Sequence, residues 1–522
     1  LELDSQARRL LQDAGYDENT VLKKDDIFFL RSTANLSTGG TAIDLTDVVH
    51  PDNREMAVRA VRAVGLDIGG VDFITDDITH YYKDIGGAIV EVNAGPGFRM
   101  HVAPSEGEPR DVSGKVLDML YPPGTPSRIP VAAITGTNGK TTTTRMLTHI
   151  MKTSGHVVGM TSTGGIYVDG RITVKGDMTG PQSAQIVLRD PTIDFAVLET
   201  ARGGILRAGL GYRECDVAAC INISADHMGL GGIETLEQLA QVKETVVRVA
   251  NDTAVLNADD KLCLKMADHT RAKHLCYVTM DPTHGLVREH IRANGRAVVL
   301  EQGINGDMIT IYDNGAHIPL LWTHLIPATI EGKAMHNVQN AMFAAAMAFS
   351  FGKDLDVIRN GLRTFDTSFF QSPGRTNVYN EHPFKVILDY AHNPAGFRAM
   401  AELAERLEPA GRRTIVFSVP GDRRDEDIRD SVEACLPQFT DFVCKADTNR
   451  RGRGVDEVPQ LARQYLMELG VDDSRITVIA DEEAAIDHAL NAAEEGDLLV
   501  ITADDLARSW KQIINLNSDK VE

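Results

Sequence analysis

The segment from Gly136 to Thr141 contains residue types that can bind the phosphates of a nucleotide. Such a loop needs glycines for close backbone approach, amides that face the anion and a helix N-terminus behind it. Gly139 allows that approach, Lys140 can reach the terminal phosphates and the Thr141 hydroxyl can bind Mg²⁺. The strict phosphate-loop pattern would place its first glycine at Ile134, so this is the shortened GTNGKT form. A purely structural turn is the alternative, but the Lys-Thr pair at the predicted helix start favours nucleotide binding. The predicted contacts are Gly136, Thr137, Asn138, Gly139, Lys140, Thr141 and Thr142.

Three further polar residues follow this loop at positions that could complete a site. Glu199 ends the apolar strand predicted at 195–198, and open α/β sheets bind ligands at the carboxyl ends of their strands. We therefore expect Glu199 to bind Mg²⁺. His227 follows the next predicted strand and is either a second metal ligand or a buried core imidazole. Lys243 lies in a predicted helix over 236–249, where a lysine is ordinarily exposed to solvent.

Two polar clusters lie later in the chain. His336, Asn337 and Asn340 have helical spacing, so His336 and Asn340 share a face that could meet a nucleotide. A capped helix start would explain the same residues. The acidic run 481–483 is most simply a solvated helix start.

The elements that must position these residues form an α/β pattern in three regions. A cluster of Pro and Gly marks a linker, and short apolar strands alternate with helices on its C-terminal side. Residues 129–135 predict a buried strand that leads through the glycine loop into a helix over 140–153. The predicted regions are 1–121, the linker 122–128, an ATP-binding domain 129–366 and a second α/β domain 367–522. Further strands are predicted at 217–223, 253–256, 385–388, 414–419 and 498–501.

Composition excludes several classes of protein. The chain has 522 residues, 43% hydrophobic and 24% charged, with a net charge of -21 that opposes general binding to nucleic acid or an anionic membrane. The longest apolar run, 341–349, is too short to span a membrane. The six dispersed cysteines predict reduced core thiols. The first residues lack a secretion signal and an initiating Met, so we expect a cytoplasmic protein that begins inside a longer chain.

Seven ordered segments resemble the Mur ligases and folylpolyglutamate synthetases: GTNGKTTT, LET, NISADH, MHNVQNA, PGRTN, LDYAHNPAGF and PGDRRDED. The resemblance implies a central parallel-sheet domain of the phosphate-loop type, followed by a Rossmann-like α/β domain. It implies that Lys140, Thr141 and Glu199 hold ATP and Mg²⁺. It also implies that His227 and Lys243 help a second Mg²⁺, with Lys243 carbamylated as in several relatives. The remaining residues implied to line the site are Asn337, Asn340, Arg375, Asp389, His392, Asn393, Gly421, Asp422 and Arg423.

One subfamily, the cyanophycin synthetases, resembles the chain more closely in the segment 199–207, ETARGGILR. The segments 37–42, 70–73 and 91–97 are similar to the carboxyl end of an ATP-grasp domain, an α+β ligase module of that subfamily. The resemblance implies that Asp72, Glu91 and Asn93 bind Mg²⁺ in that module, because all three offer hard oxygen ligands. Arg31 and Asn35 would line the same cleft.

The resemblance implies an enzyme that uses ATP and Mg²⁺ to join arginine to the β-carboxyl of aspartate in a poly-aspartate chain through an acyl phosphate. The ATP-grasp module would extend the aspartate backbone. The implied partners are a cyanophycin primer, aspartate and arginine, and the family often forms homo-oligomers. Three alternatives remain: a polymerase of β-aspartyl-arginine dipeptides, another Mur-type ligase for cell-wall precursors or folate, and a non-catalytic nucleotide-binding subunit. The catalytic candidates are Lys140, His227, Lys243, Arg375 and His392.

Overall fold

The chain forms two compact units, Leu1–Arg128 and Ile129–Glu522, in a computed structural model. The structure describes residues 3–31, 40–436 and 438–516. Asn35 and part of the predicted segment 37–42 lie outside these residues. In the described part of the chain, no helix combines the length and apolar character needed to cross a membrane.

The first unit consists of short helices around a two-stranded antiparallel sheet, β1–β2. Ala7 is the one apolar side chain among its described residues that is fully buried, at 2% exposure. Its elements are α1 Ser5–Asp13, α2 Pro51–Ala63, β1 Gly70–Ile74, α3 Tyr82–Ile85, β2 Ala88–Asn93, α4 Arg99–Val102 and α5 Val112–Leu120.

The second unit begins with a sheet of 11 strands in the order β13-β12-β11-β10-β9-β8-β3-β7-β4-β5-β6. The seven strands from β11 to β4 are parallel, and antiparallel strands extend the sheet at both ends. Its strands are β3 Val131–Thr135, β4 Val158–Ser162, β5 Gly165–Val168, β6 Arg171–Lys175, β7 Phe195–Glu199, β8 Cys215–Cys220, β9 Ala250–Asn257, β10 His274–Thr279, β11 Arg296–Gly303, β12 Gly306–Asp313 and β13 Ala316–Trp322. Its helices are α6 Lys140–Thr153, α7 Pro181–Arg189, α8 Arg202–Ala208, α9 Leu236–Arg248, α10 Lys261–Lys265, α11 Gly285–Arg292, α12 Met335–Ser350 and α13 Leu355–Thr364.

A second sheet of six strands follows, in the order β14-β15-β19-β16-β17-β18. All its neighbouring strands run parallel except the antiparallel pair β14–β15. Its strands are β14 Asn377–Tyr379, β15 Lys385–Asp389, β16 Arg413–Phe417, β17 Asp441–Cys444, β18 Ile476–Val478 and β19 Leu498–Thr502. Its helices are α14 Pro394–Arg406, α15 Asp425–Cys435, α16 Glu457–Glu468, α17 Glu482–Ala492 and α18 Leu506–Asn515.

Burial explains why the sequence patterns predicted these strands well. Every residue of β3, β7 and β19 is buried, as expected for parallel strands that are covered by helices on both faces. The α/β fold class and the helix over 140–153 are confirmed. The apolar run 341–349 lies inside α12, which packs against α6 in the main core. All six cysteines are free and buried, as predicted.

A buried ion pair supports the C-terminal sheet. Lys445 and Glu482 are 1% and 5% exposed, and their Nζ and Oε2 atoms lie 2.9 Å apart. Lys445 also donates to the Ser418 hydroxyl at 2.9 Å. Asp481 caps α17 as predicted, but the prediction that the acidic run is solvated is wrong for Glu482. Charge patterning could not reveal this, because Lys445 follows β17 and is distant in sequence from Glu482 at the start of α17.

We predict that Glu482 makes stability depend on pH. Burial alone would raise the pKa of Glu482, but the Lys445 charge and backbone amides outweigh it and hold this pKa below the usual 4.5. Since the folded pKa is depressed, the stabilisation is present above about pH 4.5 and is lost as pH falls through the folded pKa. Urea unfolding of wild type and Glu482→Gln should show a difference of ~3 kcal/mol at pH 7, because Lys445 loses its partner.

This difference should shrink as the pH is lowered below about 4.5. The control is Glu483→Gln, whose side chain is 58% exposed and should contribute at most ~1 kcal/mol at either pH. A difference between wild type and Glu482→Gln that stays constant down to low pH would contradict the assignment.

Candidate active site

The predicted phosphate loop joins β3 to α6 in a conformation that requires its glycines. Gly139 has a φ of +84°, and a Cβ there would lie 2.2 Å from the Asn340 Oδ1 atom. A Cβ on Gly136 would lie 3.2 Å from the Ile221 Cβ atom. Both contacts are too tight for a larger residue without movement of buried neighbours. The loop is therefore packed tightly between α12 and the residues that follow β8.

Asn222 holds the first half of this loop. Its Oδ1 atom accepts hydrogen bonds from the amides of Thr137 and Asn138 at 3.1 and 2.9 Å, and its Nδ2 group donates to the Asn138 carbonyl at 3.1 Å. Two amides assigned to the phosphate by sequence are thus bonded to Asn222 here. The first amides of a helix have no intrahelical acceptor, so those at the start of α6 are the donors best suited to an anion.

Thr141 and Glu199 lie together beneath the loop. The Thr141 hydroxyl donates to the Glu199 carboxylate at 3.1 Å, and Glu199 is 2% exposed. Thr163 donates to the same carboxylate from its hydroxyl at 3.0 Å and from its amide at 3.2 Å. A hydroxyl beside a carboxylate at the phosphate end of the cavity provides the oxygen ligands that Mg²⁺ prefers. This donor set therefore fits the expected ion.

Lys243 is buried, in contrast to an ordinary helix lysine. It is 4% exposed, and its Nζ group donates to the Gly136 carbonyl at 2.7 Å. Burial, together with the nearby positive charge of Lys140, lowers the pKa of Lys243 to about 7. A large fraction of this amine is therefore uncharged at neutral pH. Lys140 itself folds back to donate to the Thr137 carbonyl at 2.8 Å.

A cluster of charges joins the central domain to the C-terminal domain. The Arg423 guanidinium, 4% exposed, donates to Asp226 Oδ1 at 2.7 Å and to His227 Nδ1 at 3.0 Å. Burial lowers the pKa of His227 to about 4, so this imidazole is neutral at pH 7. Burial would raise the pKa of Asp226, but His392, His227 and Arg423 together hold it well below its usual range.

The candidate residues of the C-terminal domain face the same space. The His392 Nδ1–H group donates to the Tyr390 carbonyl at 2.9 Å, and its Nε2 atom lies 3.8 Å from Asp226. Asp389 accepts from the amide of Thr376 at 2.8 Å. Arg375 donates to the Thr141 hydroxyl at 3.3 Å and stacks 5.0 Å from the centre of the Tyr390 ring.

The α12 residues have structural partners. Asn337 donates to the Ala328 carbonyl at 2.8 Å, and Asn340 donates to the side chain of Asn337 at 3.1 Å. Asn340 also accepts from the Thr143 hydroxyl at 3.3 Å, which joins α12 to α6. Hydrogen bonds therefore hold both amide side chains at the edge of the cavity.

A second pair of amides joins the two domains across the loop. Asn138 and Asn393 exchange two side-chain hydrogen bonds, each of 3.0 Å. The cavity beside this loop is partly open to solvent and has a volume of about 520 Å³. Its lining brings together the sequence-predicted residues Thr137, Asn138, Gly139, Lys140, Thr141, Thr142, Glu199, His227, Lys243, Asn337, Asn340, Arg375, Asp389 and His392.

The predicted Mg²⁺ ligands Asp72, Glu91 and Asn93 lie in the first unit. Asp72 is directly opposite Glu91 in the β1–β2 register, so their side chains share a face. Asn93 donates to Glu91 at 3.0 Å. Arg31 pairs with Asp4 at 2.8 Å. Among the residues that the structure describes, no three His, Cys, Asp or Glu side chains gather as a metal-binding group.

Several cavity residues had no role in the sequence analysis. Asn222 and Thr163 bind the loop and Glu199, while Arg202 and Arg207 line the wall beside them. The two arginines could have been found from the segment ETARGGILR, where basic residues follow a buried carboxylate within one helical segment. Thr163 had no local signal, because it reaches the site from a different strand connection.

The fold and site define a class of protein. Residues 134–348 match the Mur ligase middle domain and residues 374–504 match the Mur ligase glutamate ligase domain. The chain therefore contains the middle domain and the glutamate ligase domain of the Mur ligases. E. coli FolC, solved in complex with DHPP and ADP, has a similar fold, with a TM-score of 0.54 and 20% identity over 74% of this chain and 89% of that chain.

Two relatives are similar over almost the whole chain. The cyanophycin synthetase of Synechocystis sp. is 46% identical over 506 residues, which cover 97% of this chain and 57% of the relative. The cyanophycin synthetase of Crocosphaera subtropica is 44% identical over 519 residues, which cover 99% of this chain and 59% of the relative. The chain thus spans less than two thirds of the length of either relative.

We predict that the pair Asp226–Arg423 stabilises the contact between the two domains. Arg423→Ala should lower the free energy of unfolding by ~3–5 kcal/mol, because Asp226 would remain buried without its closest charged partner. Urea unfolding measures this change. The matched control is Arg429→Ala, whose pair with Glu468 is exposed and should contribute at most ~1 kcal/mol.

A double variant makes the test specific. Asp226→Ala combined with Arg423→Ala should be less destabilised than Arg423→Ala alone, since it buries no unpaired charge. If the two changes simply add, the pair does not have the proposed effect on stability.

Proposed function

We propose that this chain uses ATP to join the α-amino group of arginine to the β-carboxyl group of aspartate in a poly-aspartate chain. The observation that carries the proposal is that the phosphate loop, Glu199 and the loop 389–393 converge on one cavity. Similarity to cyanophycin synthetases supports the choice of substrates. The proposed partners are therefore a cyanophycin primer and arginine.

Amide formation in water requires an activated carboxylate. Transfer of the γ-phosphoryl group of ATP to the carboxylate would give an acyl phosphate and ADP, and attack by the amine would then release phosphate. The first amides of α6 and the Lys140 ammonium would bind the phosphates. Arg375, which reaches Thr141 from the C-terminal domain, would stabilise charge on the transferred group.

Thr141 and Glu199 would hold Mg²⁺ beside these phosphates, where the ion would neutralise their negative charge. His227 would be a ligand for a second ion, which suits its neutral imidazole. Arg423 occupies His227 Nδ1 in this structure, so the free ring nitrogen is Nε2. Lys243, with a pKa of about 7, has the uncharged amine that carbamylation requires.

His392 is the group proposed to accept a proton from the amine of arginine. Its Nδ1–H donates to the Tyr390 carbonyl, which leaves Nε2 as the acceptor nitrogen of the neutral ring. Asp226 lies 3.8 Å from Nε2 and would stabilise the imidazolium that forms.

For the first unit we propose a contribution to a second ligase site that extends the aspartate backbone. Its support is the shared face of Asp72 and Glu91, with Asn93 two residues further along the strand. These oxygen atoms suit Mg²⁺ on ATP phosphates.

Lys140→Ala should abolish arginine incorporation while folding persists. Loss of a positive group at the transferred phosphoryl should reduce the rate by at least ~100-fold. Labelled arginine incorporation and ADP release measure it. Lys152→Ala, on the far end of the same helix and bonded to the Asp169 carbonyl, is the control and should retain activity. ATP-dependent incorporation at the wild-type rate in Lys140→Ala would refute the proposal.

Chemically blocked primers should identify the reacting carboxyl group. A poly-aspartate primer with an amidated C-terminus should accept arginine at saturating concentration, because its terminal β-carboxyl is free. A primer that ends in Asn should be inert. Phosphate release with arginine distinguishes them. Reaction of the Asn-terminated primer, or reaction only with β-aspartyl-arginine dipeptides, would favour main-chain ligation instead.

A further inference from the structure

Helix α8 places two arginines on the wall of the cavity, directly after the Glu199 strand. The Arg202 side chain has a structural role. Its guanidinium donates to the carbonyls of His227 and Leu230 at 2.7 and 3.0 Å. It therefore holds the loop that carries His227.

Arg207 is different, because it has no hydrogen bond or ion pair with any residue that the structure describes. Its guanidinium lies back over Gly203, where a built Cβ would be 3.7–3.9 Å from the guanidinium atoms. The guanidinium thus lies against the first turn of α8, within ordinary contact distance of Gly203, at the cavity wall. Five N–H donors on a permanent charge are thus available to a ligand.

The backbone below Arg207 is held closely in place. A Cβ on Gly204 would lie 2.9 Å from the Gly180 Cα atom, so α8 packs directly on that segment. Gly211 is equally close to Pro181, with a built Cβ 2.3 Å from its carbonyl oxygen. Backbone packing on both sides of Arg207 therefore fixes the position of its main chain, from which the exposed guanidinium reaches the cavity wall.

The net negative charge of the whole molecule opposes binding of an anion, so an anionic ligand needs a positive group at its binding site. The net charge of -21 repels a polyanionic acceptor at long range. Near the phosphate loop, Lys140 and Arg375 have internal partners and would meet ATP. Among the described residues that line the cavity, Arg207 is left as the cation without a hydrogen bond or ion pair.

We propose that Arg207 binds the α-carboxylate of the terminal aspartate of the acceptor, and so presents the β-carboxylate to ATP. A guanidinium can bind a carboxylate through two parallel hydrogen bonds, which orients it as well as attracting it. The inference rests on the proposed function in one respect, the identity of the acceptor. It assigns acceptor recognition to a residue outside the phosphate loop and the metal ligands.

Direct binding tests the inference without turnover. A fluorescein-labelled poly-aspartate peptide with a free C-terminus is titrated with wild type and with Arg207→Gln, and anisotropy gives Kd. Arg207→Gln should raise Kd by at least ~10-fold, because a charged hydrogen-bond partner is lost. The Kd of Arg207→Lys should lie between these two values, since an ammonium keeps the charge but cannot form two parallel hydrogen bonds to a carboxylate.

The control is Arg189→Gln, an exposed arginine at the end of α7 that carries the same change in charge and should leave Kd unaltered. An otherwise identical peptide with an amidated C-terminus should bind wild type as weakly as the free peptide binds Arg207→Gln. It should be insensitive to the substitution. In turnover, Arg207→Gln should raise KM for the acceptor and leave KM for ATP and arginine unchanged.

Equal peptide binding by wild type and Arg207→Gln, or no binding by wild type, would overturn the inference. The two proposals fail separately. If wild type ligates arginine and Arg207→Gln does not change KM for the acceptor, the proposed function stands and this inference is wrong. If peptide binding depends on Arg207 but no arginine is ligated, this inference is supported and the proposed function is wrong.

Discussion

The cavity between the two sheets of the second unit depends on one constraint: an ionised side chain removed from water needs a partner of opposite charge or several hydrogen bonds. Asp226 meets it through Arg423, from the other domain. Glu199 meets it through three donors from Thr141 and Thr163. These contacts hold the surfaces that face the cavity in register, because each side chain has its partner on a different element.

The same constraint explains the state of Lys243. Among the described residues, its hydrogen-bond partner is the Gly136 carbonyl, which does not neutralise a charge, and the positive Lys140 is close by. The pKa of Lys243 therefore falls to about 7, whereas the Lys445 Nζ atom lies 2.9 Å from the Glu482 carboxylate. The two buried lysines thus differ in their partners, a carbonyl for Lys243 and a carboxylate for Lys445. Lys243, whose pKa is lowered, is the one that lines the cavity.

Backbone packing provides the second part of the site. Gly139 packs against Asn340, and Asn222 accepts hydrogen bonds from two amides of the loop. From the C-terminal domain, Asn393 hydrogen-bonds to Asn138. A displacement of any of these groups would move the loop and its lysine together. The loop is thus sensitive to elements well separated from it in the chain, including α12 and the segment 389–393.

Local pattern determined much of the fold. Continuous apolar runs predicted β3, β7 and β19, and helical periodicity with the Lys-Thr start predicted α6. The glycine loop, Glu199 and the ordered family segments were enough to predict the fold class, and most of the site residues that they predicted in the second unit line the cavity. Each of these signals lies within a few neighbouring residues, so the sequence carries it without knowledge of long-range contacts. Only the tertiary structure decided which groups meet: Asn222 binds the loop and Arg423 binds Asp226. It also decided that Lys243 and Glu482 are buried and that the Arg207 guanidinium is free. Charge state and hydrogen bonding depend on which distant elements meet, and residue spacing along the chain does not specify that.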